Sequence, residues 1–197
     1  MYRRPSAFFR EYSNDKVDRM RNYPFFYDMA ITTLLALNDG DPINVFELGC
    51  SKPMGSGNIF SEMGQVSRYV GVDINPLVDE FGRKGRFIRG DAYLNETVKK
   101  VSAYAPFHLL IDDACHTREN QVKFFDKYIR LSDTPSIMVC EDVRSDDIFY
   151  IIESLSDLGI WDRNFYVIEC HGLETKPVRL NNLVVRFNLG DWEAKWT

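Results

Sequence analysis

The chain has 197 residues, of which 45% are hydrophobic and 27% charged, and it carries a formal net charge of −5 at pH 7. That length fits one domain able to bury most of its apolar surface, and the acidic balance argues against a broad phosphate-binding face, so no nucleic-acid partner is expected. No apolar run approaches the roughly 20 residues a membrane span needs, the start Met1-Tyr-Arg-Arg-Pro lacks the apolar stretch of a secretion signal, and Cys50, Cys115, Cys140 and Cys170 show no C-x-x-C spacing. Buried free thiols in a cytoplasmic protein without membrane attachment are the expectation.

Residues 1–22 carry Arg3, Arg4, Arg10, Lys16, Arg19 and Arg21 and read as a solvated N-terminal arm. Residues 23–197 read as one domain, because no linker or internal repeat divides them. Aromatics near the arm (Phe8, Phe9, Tyr12, Phe25, Phe26) suit a lid, a contact in a homo-oligomer, or plain cover for a sheet face.

Pro24 suits the first turn of a helix with Phe26, Ala30, Thr33 and Leu37 on one face, stopped by Asn38-Asp39-Gly40. Ile43 to Leu48 reads as a strand, and a helix begins near Gly57 or Asn58. Tyr69 to Ile74 is a second strand, with a helix opened by Pro76. Arg86 to Arg89 is a third strand, Asn95 to Ala103 a helix and Phe107 to Ile111 a fourth strand. Thr117 caps a helix with the buried stripe Val122, Phe125, Ile129. Ile137 to Cys140 is a fifth strand. Ser145 caps a helix, with Asp146 and Asp147 in its first turn and Ile148, Ile151, Ile152 and Leu155 facing the core; Gly159 ends it. Phe165 to Glu169 and Leu183 to Phe187 lack a helix between them and predict an antiparallel hairpin. Alternation of near-continuous apolar strands with helices predicts an α/β sheet covered on both faces. Such sheets bind ligands outside the carboxyl ends of their strands.

Every acidic landmark lies at such an end. Glu47-Leu48-Gly49 closes the first strand, and Gly55 and Gly57 let the next loop approach a ligand or pack a helix on a strand. Asp73 ends the second strand, where a carboxylate accepts from ribose hydroxyls or caps the following helix. Asp91 follows the third strand and suits either an adenine amino group or a turn cap. Asp112-Asp113-Ala-Cys-His116 and Glu141-Asp142 end the fourth and fifth strands. Carboxylates so close repel unless a cation sits between them or one binds a proton, and hard oxygen ligands favour Mg²⁺ or Ca²⁺ over zinc. Successive strand residues point to opposite faces, so Glu141 and Asp142 share an ion only if the strand ends or bends there. His116 is the candidate general base, and Asp112 is placed to orient a cofactor's amino-acid part. His108 reads as a satisfied core residue, and His171 as a residue near a substrate mouth.

Together, Glu47-Leu-Gly49, Gly71-Val-Asp73, Gly90-Asp91, Ile111-Asp-Asp-Ala-Cys-His116 and Glu141-Asp142 resemble the class I S-adenosylmethionine-dependent methyltransferases. More narrowly, they resemble the metal-dependent macrocin O-methyltransferase and cephalosporin-hydroxylase-type branch. The resemblance runs from about Val45 to Val143. It implies a Rossmann-like, mostly parallel seven-stranded sheet with a C-terminal antiparallel hairpin. It implies Mg²⁺ at Asp113, Glu141 and Asp142, with His116 as general base. S-adenosylmethionine would be held by Glu47, Gly49, Asp73, Asp91, Asp112 and the neighbours Ser51, Ile74 and Ala92. The implied activity is O-methylation of a small molecule such as a sugar, polyol or phenol. Departures from the pattern are Ala114-Cys115 for Gly-Ser, a longer first loop with Lys52-Pro53-Met54, and Thr134-Pro135 for Gly-Gly. Alternatives are the same cofactor fold serving another reaction, or a non-catalytic binding domain.

Overall fold

The computed structural model describes residues 23–50, 56–76, 81–170 and 181–190. The N-terminal arm, Ser51, the helix expected after Pro76 and His171 lie outside the described residues.

Helix α1 spans Tyr23–Leu37. Its buried side is Phe26, Tyr27, Ala30, Ile31 and Leu34, while Thr33 and Leu37 are only half-buried. The stripe is therefore rotated from the expected one, because Tyr27, Ile31 and Leu34 share a face at helical spacing and carry more apolar volume. The stop falls where expected: Asp39 and Gly40 take φ of 52° and 86°, and the Gly40 N–H donates back to the Leu35 carbonyl at 2.8 Å.

Strands β1 (Ile43–Leu48), β2 (Val66–Asp73), β3 (Gly85–Arg89), β4 (Phe107–Asp112), β5 (Ser132–Arg144), β6 (Phe165–Cys170) and β7 (Asn181–Asn188) form one sheet in the order β3-β2-β1-β4-β5-β7-β6. The first five are parallel, and β7 runs antiparallel between β5 and β6, which is the predicted hairpin. β5 is much longer than Ile137 to Cys140, since it continues through Pro135 with a break in its register to β4. β2 ends at Asp73, so Ile74 already lies beyond the sheet.

One side of the sheet is covered by α1 and α2 (Ser56–Glu62), which pack on Val45, Tyr69, Leu109, Ile111, Ile137 and Val139. The other side is covered by α3 (Asn95–Ser102), α4 (Arg118–Tyr128) and α5 (Ile148–Asp157), packed on Phe46, Val70, Leu110, Met138 and Val184. Val122 and Phe125 are buried on α4 as expected, and Phe124 and Tyr128 join them. Thr117 sits at the cap of α4 but only its carbonyl takes part, accepting from Asn120 and Gln121 N–H at 3.0 Å. Ser145 opens a short 3-10 turn, and Asp147 takes the cap position of α5. On α5, Ile151 and Leu155 reach the core fully while Ile148 and Ile152 are half-buried, and Gly159 follows at φ 68°.

Strand register fixes where the chemistry lies. Leu48, Val72, Asp112 and Cys140 form one row across β2, β1, β4 and β5. The residues that follow, Gly49, Asp73, Asp113 and Glu141, therefore leave that row at one level. Strand order reverses between β1 and β4 at this edge, the usual ligand position in an open α/β sheet.

Candidate active site

A cleft of about 660 Å³ opens outside the carboxyl ends of β1 to β4. Gly49 makes its floor possible. Its φ is 85°, and a Cβ there would lie 2.1 Å from the Asp113 carbonyl oxygen. The Gly49 N–H bonds the Val72 carbonyl at 2.9 Å, and the Asp113 N–H bonds the Leu48 carbonyl at 3.1 Å. Only a residue without a side chain lets these two loops cross so closely.

At one end of the cleft stand Asp73 and Asp91. Asp73 accepts from the Asn75 N–H at 2.9 Å, and Asp91 accepts from the Tyr93 N–H at 2.9 Å. Each carboxylate thus braces its own turn and lines the cleft at once, so both readings of Asp91 meet in one geometry. Ile74 is 64% exposed and Leu94 51% exposed in the same lining. Open apolar side chains beside two fixed carboxylates suit a ligand with a flat ring and hydroxyl or amino donors. Ala92 lines this end too, and its carbonyl accepts from the Tyr128 hydroxyl at 2.6 Å.

At the other end, Asp113, His116 and Asp142 offer ligand atoms that lie within 4.8 Å of one another. His116 Nε2 is 3.9 Å from Asp113 Oδ1 and 3.8 Å from Asp142 Oδ2. That spread is close to twice a metal–oxygen bond of roughly 2.1–2.6 Å, so a divalent cation fits with small adjustments. Asp142 reaches the group because its φ is 54° and β5 breaks register between Cys140 and Val143.

The structure sets three predicted residues apart from the cleft. Glu141 is 2% exposed and accepts from the Tyr27 hydroxyl of α1. Its carboxylate lies on the α1 side, while the break in register after Cys140 brings Asp142 beside His116, so the residues that come together are Asp113, His116 and Asp142, two carboxylates and an imidazole. Glu47 is fully buried and accepts from Ser56 Oγ and from the Tyr69 hydroxyl at 2.6 Å. It ties α2 to the sheet and does not line the cleft described here. Asp112 is 2% exposed, beneath the floor, where Oδ1 accepts from the Ala114 N–H at 3.2 Å and lies 3.4 Å from the Tyr93 hydroxyl. Burial pushes its carboxyl up to about 7, against the Ala114 N–H, which favours the ionised form. Burial first, and then Glu141 and Glu47 respectively, raise the Tyr27 and Tyr69 hydroxyls well above 10, so both stay protonated donors.

His108 is a satisfied core residue as expected: its Nδ1 accepts from the Asn44 N–H at 3.1 Å. Cys50 and Cys140 are buried, but Cys115 is exposed on the cleft. Sequence reading missed Tyr27, Tyr93, Leu94, Asn120 and Lys123. The last two were legible: Asn120 and Lys123 follow His116 at helical spacing on the side of α4 opposite its apolar stripe, and both line the cleft.

No protein-family model matches the chain, and no curated protein matches it in sequence. Solved structures do. MycE methyltransferase of the mycinamycin biosynthetic pathway, solved with Mg, SAH and mycinamycin VI, is 17% identical with a TM-score of 0.67, covering 96% of this chain and 56% of that one. An O-methyltransferase from Bacillus cereus, solved with SAH, is 12% identical with a TM-score of 0.53, covering 81% and 80%. Spermidine synthase from Thermotoga maritima is 13% identical with a TM-score of 0.53, covering 84% and 59%. This chain therefore spans little more than half the length of MycE. At such identities the likeness concerns architecture, and the strand order and hairpin of this chain are those of the Rossmann-like class I methyltransferase fold.

Proposed function

We propose that this protein is an S-adenosylmethionine-dependent O-methyltransferase assisted by a divalent cation, Mg²⁺ first among the candidates. The observation that carries the reading is the cleft, with a nucleoside-like end at Asp73 and Asp91 and an acid-histidine trio within 4.8 Å at the other. MycE, which shares the architecture, is solved with Mg and SAH together.

Asp73 accepts hydrogen bonds from the ribose hydroxyls, Asp91 from the adenine amino group, and Ile74 and Leu94 cover the ring. The bare backbone of Gly49 admits the cofactor's sulfur-bearing arm. Asp113 and Asp142 hold the cation, two carboxylates being the usual protein share of a Mg²⁺ site that keeps waters. Bound there, the cation supplies a Lewis acid that lowers the pKa of an acceptor hydroxyl, while the sulfonium supplies a methyl carbon with a good leaving group. His116 takes the hydroxyl proton as the acceptor oxygen gains the methyl group, a role that keeps its Nε2 free of the cation held by Asp113 and Asp142. Glu47 and Glu141 shape the site from behind. The acceptor is a small molecule, a vicinal diol of a sugar or phenol being the best chelator, and the setting is the cytoplasm.

Calorimetry of S-adenosylmethionine with and without Mg²⁺, and a labelled-methyl screen of sugar, phenol and amine acceptors, test this reading. Binding of the donor and metal-stimulated transfer to oxygen are expected. His116→Ala should keep donor binding and lose turnover by roughly 10²–10⁴-fold. Absence of donor binding defeats the proposal. Methyl transfer to amines without metal would make it an N-methyltransferase and remove the cation from the reaction. Donor binding with no turnover on any acceptor would favour a binding domain.

A further inference from the structure

We propose that Tyr27, Gln121 and Asn182 are positioning residues: from three different elements they clamp the bulge of β5 that brings Asp142 beside Asp113 and His116. The role of Asp142 as a cation ligand rests on the function proposed above.

β5 and β7 pair in register up to Cys140↔Val184 and again from Val143↔Asn182, so Glu141 and Asp142 together oppose the single residue Leu183. The extra residue changes sides: Val139 packs in the core under α1, whereas Val143 packs in the core under α4 and α5. An unbulged strand would send Asp142 to the same side as Cys140, into that second core. In the bulge it instead takes a left-handed φ of 54° and comes within 3.8 Å of His116. Strand pairing is lost at this point, and the left-handed region is unfavourable for a side-chain-bearing residue, so neither holds the conformation.

Side chains do. The Tyr27 hydroxyl of α1 donates to the Glu141 carboxylate. Gln121 Nε2 of α4 donates to the Glu141 carbonyl at 3.4 Å. Asn182 Nδ2 of β7 donates to the Val143 carbonyl at 3.2 Å, and to Ser145 Oγ at 3.2 Å. The residues on both sides of Asp142 are thus gripped, from both faces of the sheet and from its neighbouring strand. Tyr27, Gln121 and Asn182 are only 1%, 1% and 2% exposed, so water does not readily replace a bond that is removed. None of the three lines the cleft. Any effect they have on a bound cation must pass through the bulge, as supporting residues act on metal ligands.

The test uses the whole chain freed of metal, with Tyr27→Phe, Gln121→Met and Asn182→Ala. Amide hydrogen exchange at Glu141 to Val143 is read without metal, and Mn²⁺ binding is then titrated by electron paramagnetic resonance. Faster exchange confined to the bulge and Mn²⁺ affinity weakened roughly 10–100-fold are expected, with S-adenosylhomocysteine binding unchanged. If Tyr27→Phe does not fold, the two other variants carry the test. Lower melting temperatures with wild-type Mn²⁺ affinity would show that the three side chains are merely structural and overturn the proposal. A wild type that binds no Mn²⁺ removes the cation reading. Exchange in the metal-free protein still decides the clamp, which unchanged rates would refute.

Discussion

Two sets of acidic residues leave the same edge of the sheet and meet opposite fates. Glu47 and Glu141 turn toward the α1 side, are at most 2% exposed, and are each gripped by a tyrosine hydroxyl. Asp73, Asp91, Asp113 and Asp142 line the cleft or converge beside it. The histidines divide the same way: His108 is sealed against Asn44, and His116 is about a third exposed between two carboxylates. Residue type does not explain the division, because Asp112, an aspartate like the four open ones, is 2% exposed. Strand position does, and at β5 a single inserted residue keeps Asp142 out of the second core and beside His116. Sealed carboxylates hold helices on the sheet, and open ones are placed for ligands.

The comparison predicts a double dissociation. Asp113→Asn should abolish divalent-cation binding and lower turnover at least about 1,000-fold, a loss in the range of a missing metal or base. Its melting temperature in a chelator should match or exceed that of the wild type, because one of two facing carboxylates is gone. Mn²⁺ titration and thermal melts check both halves; a large loss of stability would mean that Asp113 belongs with the sealed set. Glu47→Ala should do the reverse. It strands the Tyr69 and Ser56 hydroxyls in the core, costing about 2–3 kcal/mol and lowering Tm by roughly 5–10 °C for a chain of this size. Cation affinity of the folded protein should stay within a factor of a few, and calorimetry on Glu47→Ala reads that directly.

These pairs also show what the sequence made legible. Alternating apolar strands and helices predicted the sheet, its hairpin and the level at which Asp73, Asp113 and Asp142 emerge. Period-two alternation also raised the doubt that Glu141 and Asp142 could share an ion, and the structure separates them. What stayed hidden depends on contacts between distant elements. The partner of Glu141 is Tyr27, from the first helix, and nothing local to either residue connects them. The α1 stripe read as Phe26, Ala30, Thr33 and Leu37 left Tyr27 off the buried face, so its reach over the sheet edge was invisible. The bulge was equally unreadable, since Glu141-Asp142 carries no glycine to mark a left-handed residue.

That residue gives a smaller, sharper test. Asp142→Gly and Asp142→Ala both remove the open carboxylate, and both should lose cation binding alike. They differ only in backbone preference at φ 54°. The glycine variant should therefore be the more stable in chelator by about 1 kcal/mol, the scale of the left-handed penalty. Denaturant melts of the two measure it. Equal stabilities would mean that the bulge relaxes once the carboxylate is gone, and that Asp142 itself helps to hold it.

The weakest effect expected concerns the sealed histidine. Burial lowers the pKa of His108 from 6.5, outweighing the nearby Asp133. The unfolded chain thus takes up a proton below about pH 6.5 while the folded protein does not, until pH falls to the lowered value. The stability contributed by the neutral imidazole is complete above pH 6.5 and is lost as pH falls through that window. His108→Asn removes the titration, so the difference in stability between wild type and variant should shrink from pH 7.5 to pH 5. Melts of the metal-free proteins across that range, with His116 intact in both, read the sealed imidazole by itself. A difference that grows as pH falls would mean that His108 is protonated in the fold, with Asp133 as its counter-ion 3.7 Å away, and a constant difference would mean that folding leaves its pKa unshifted.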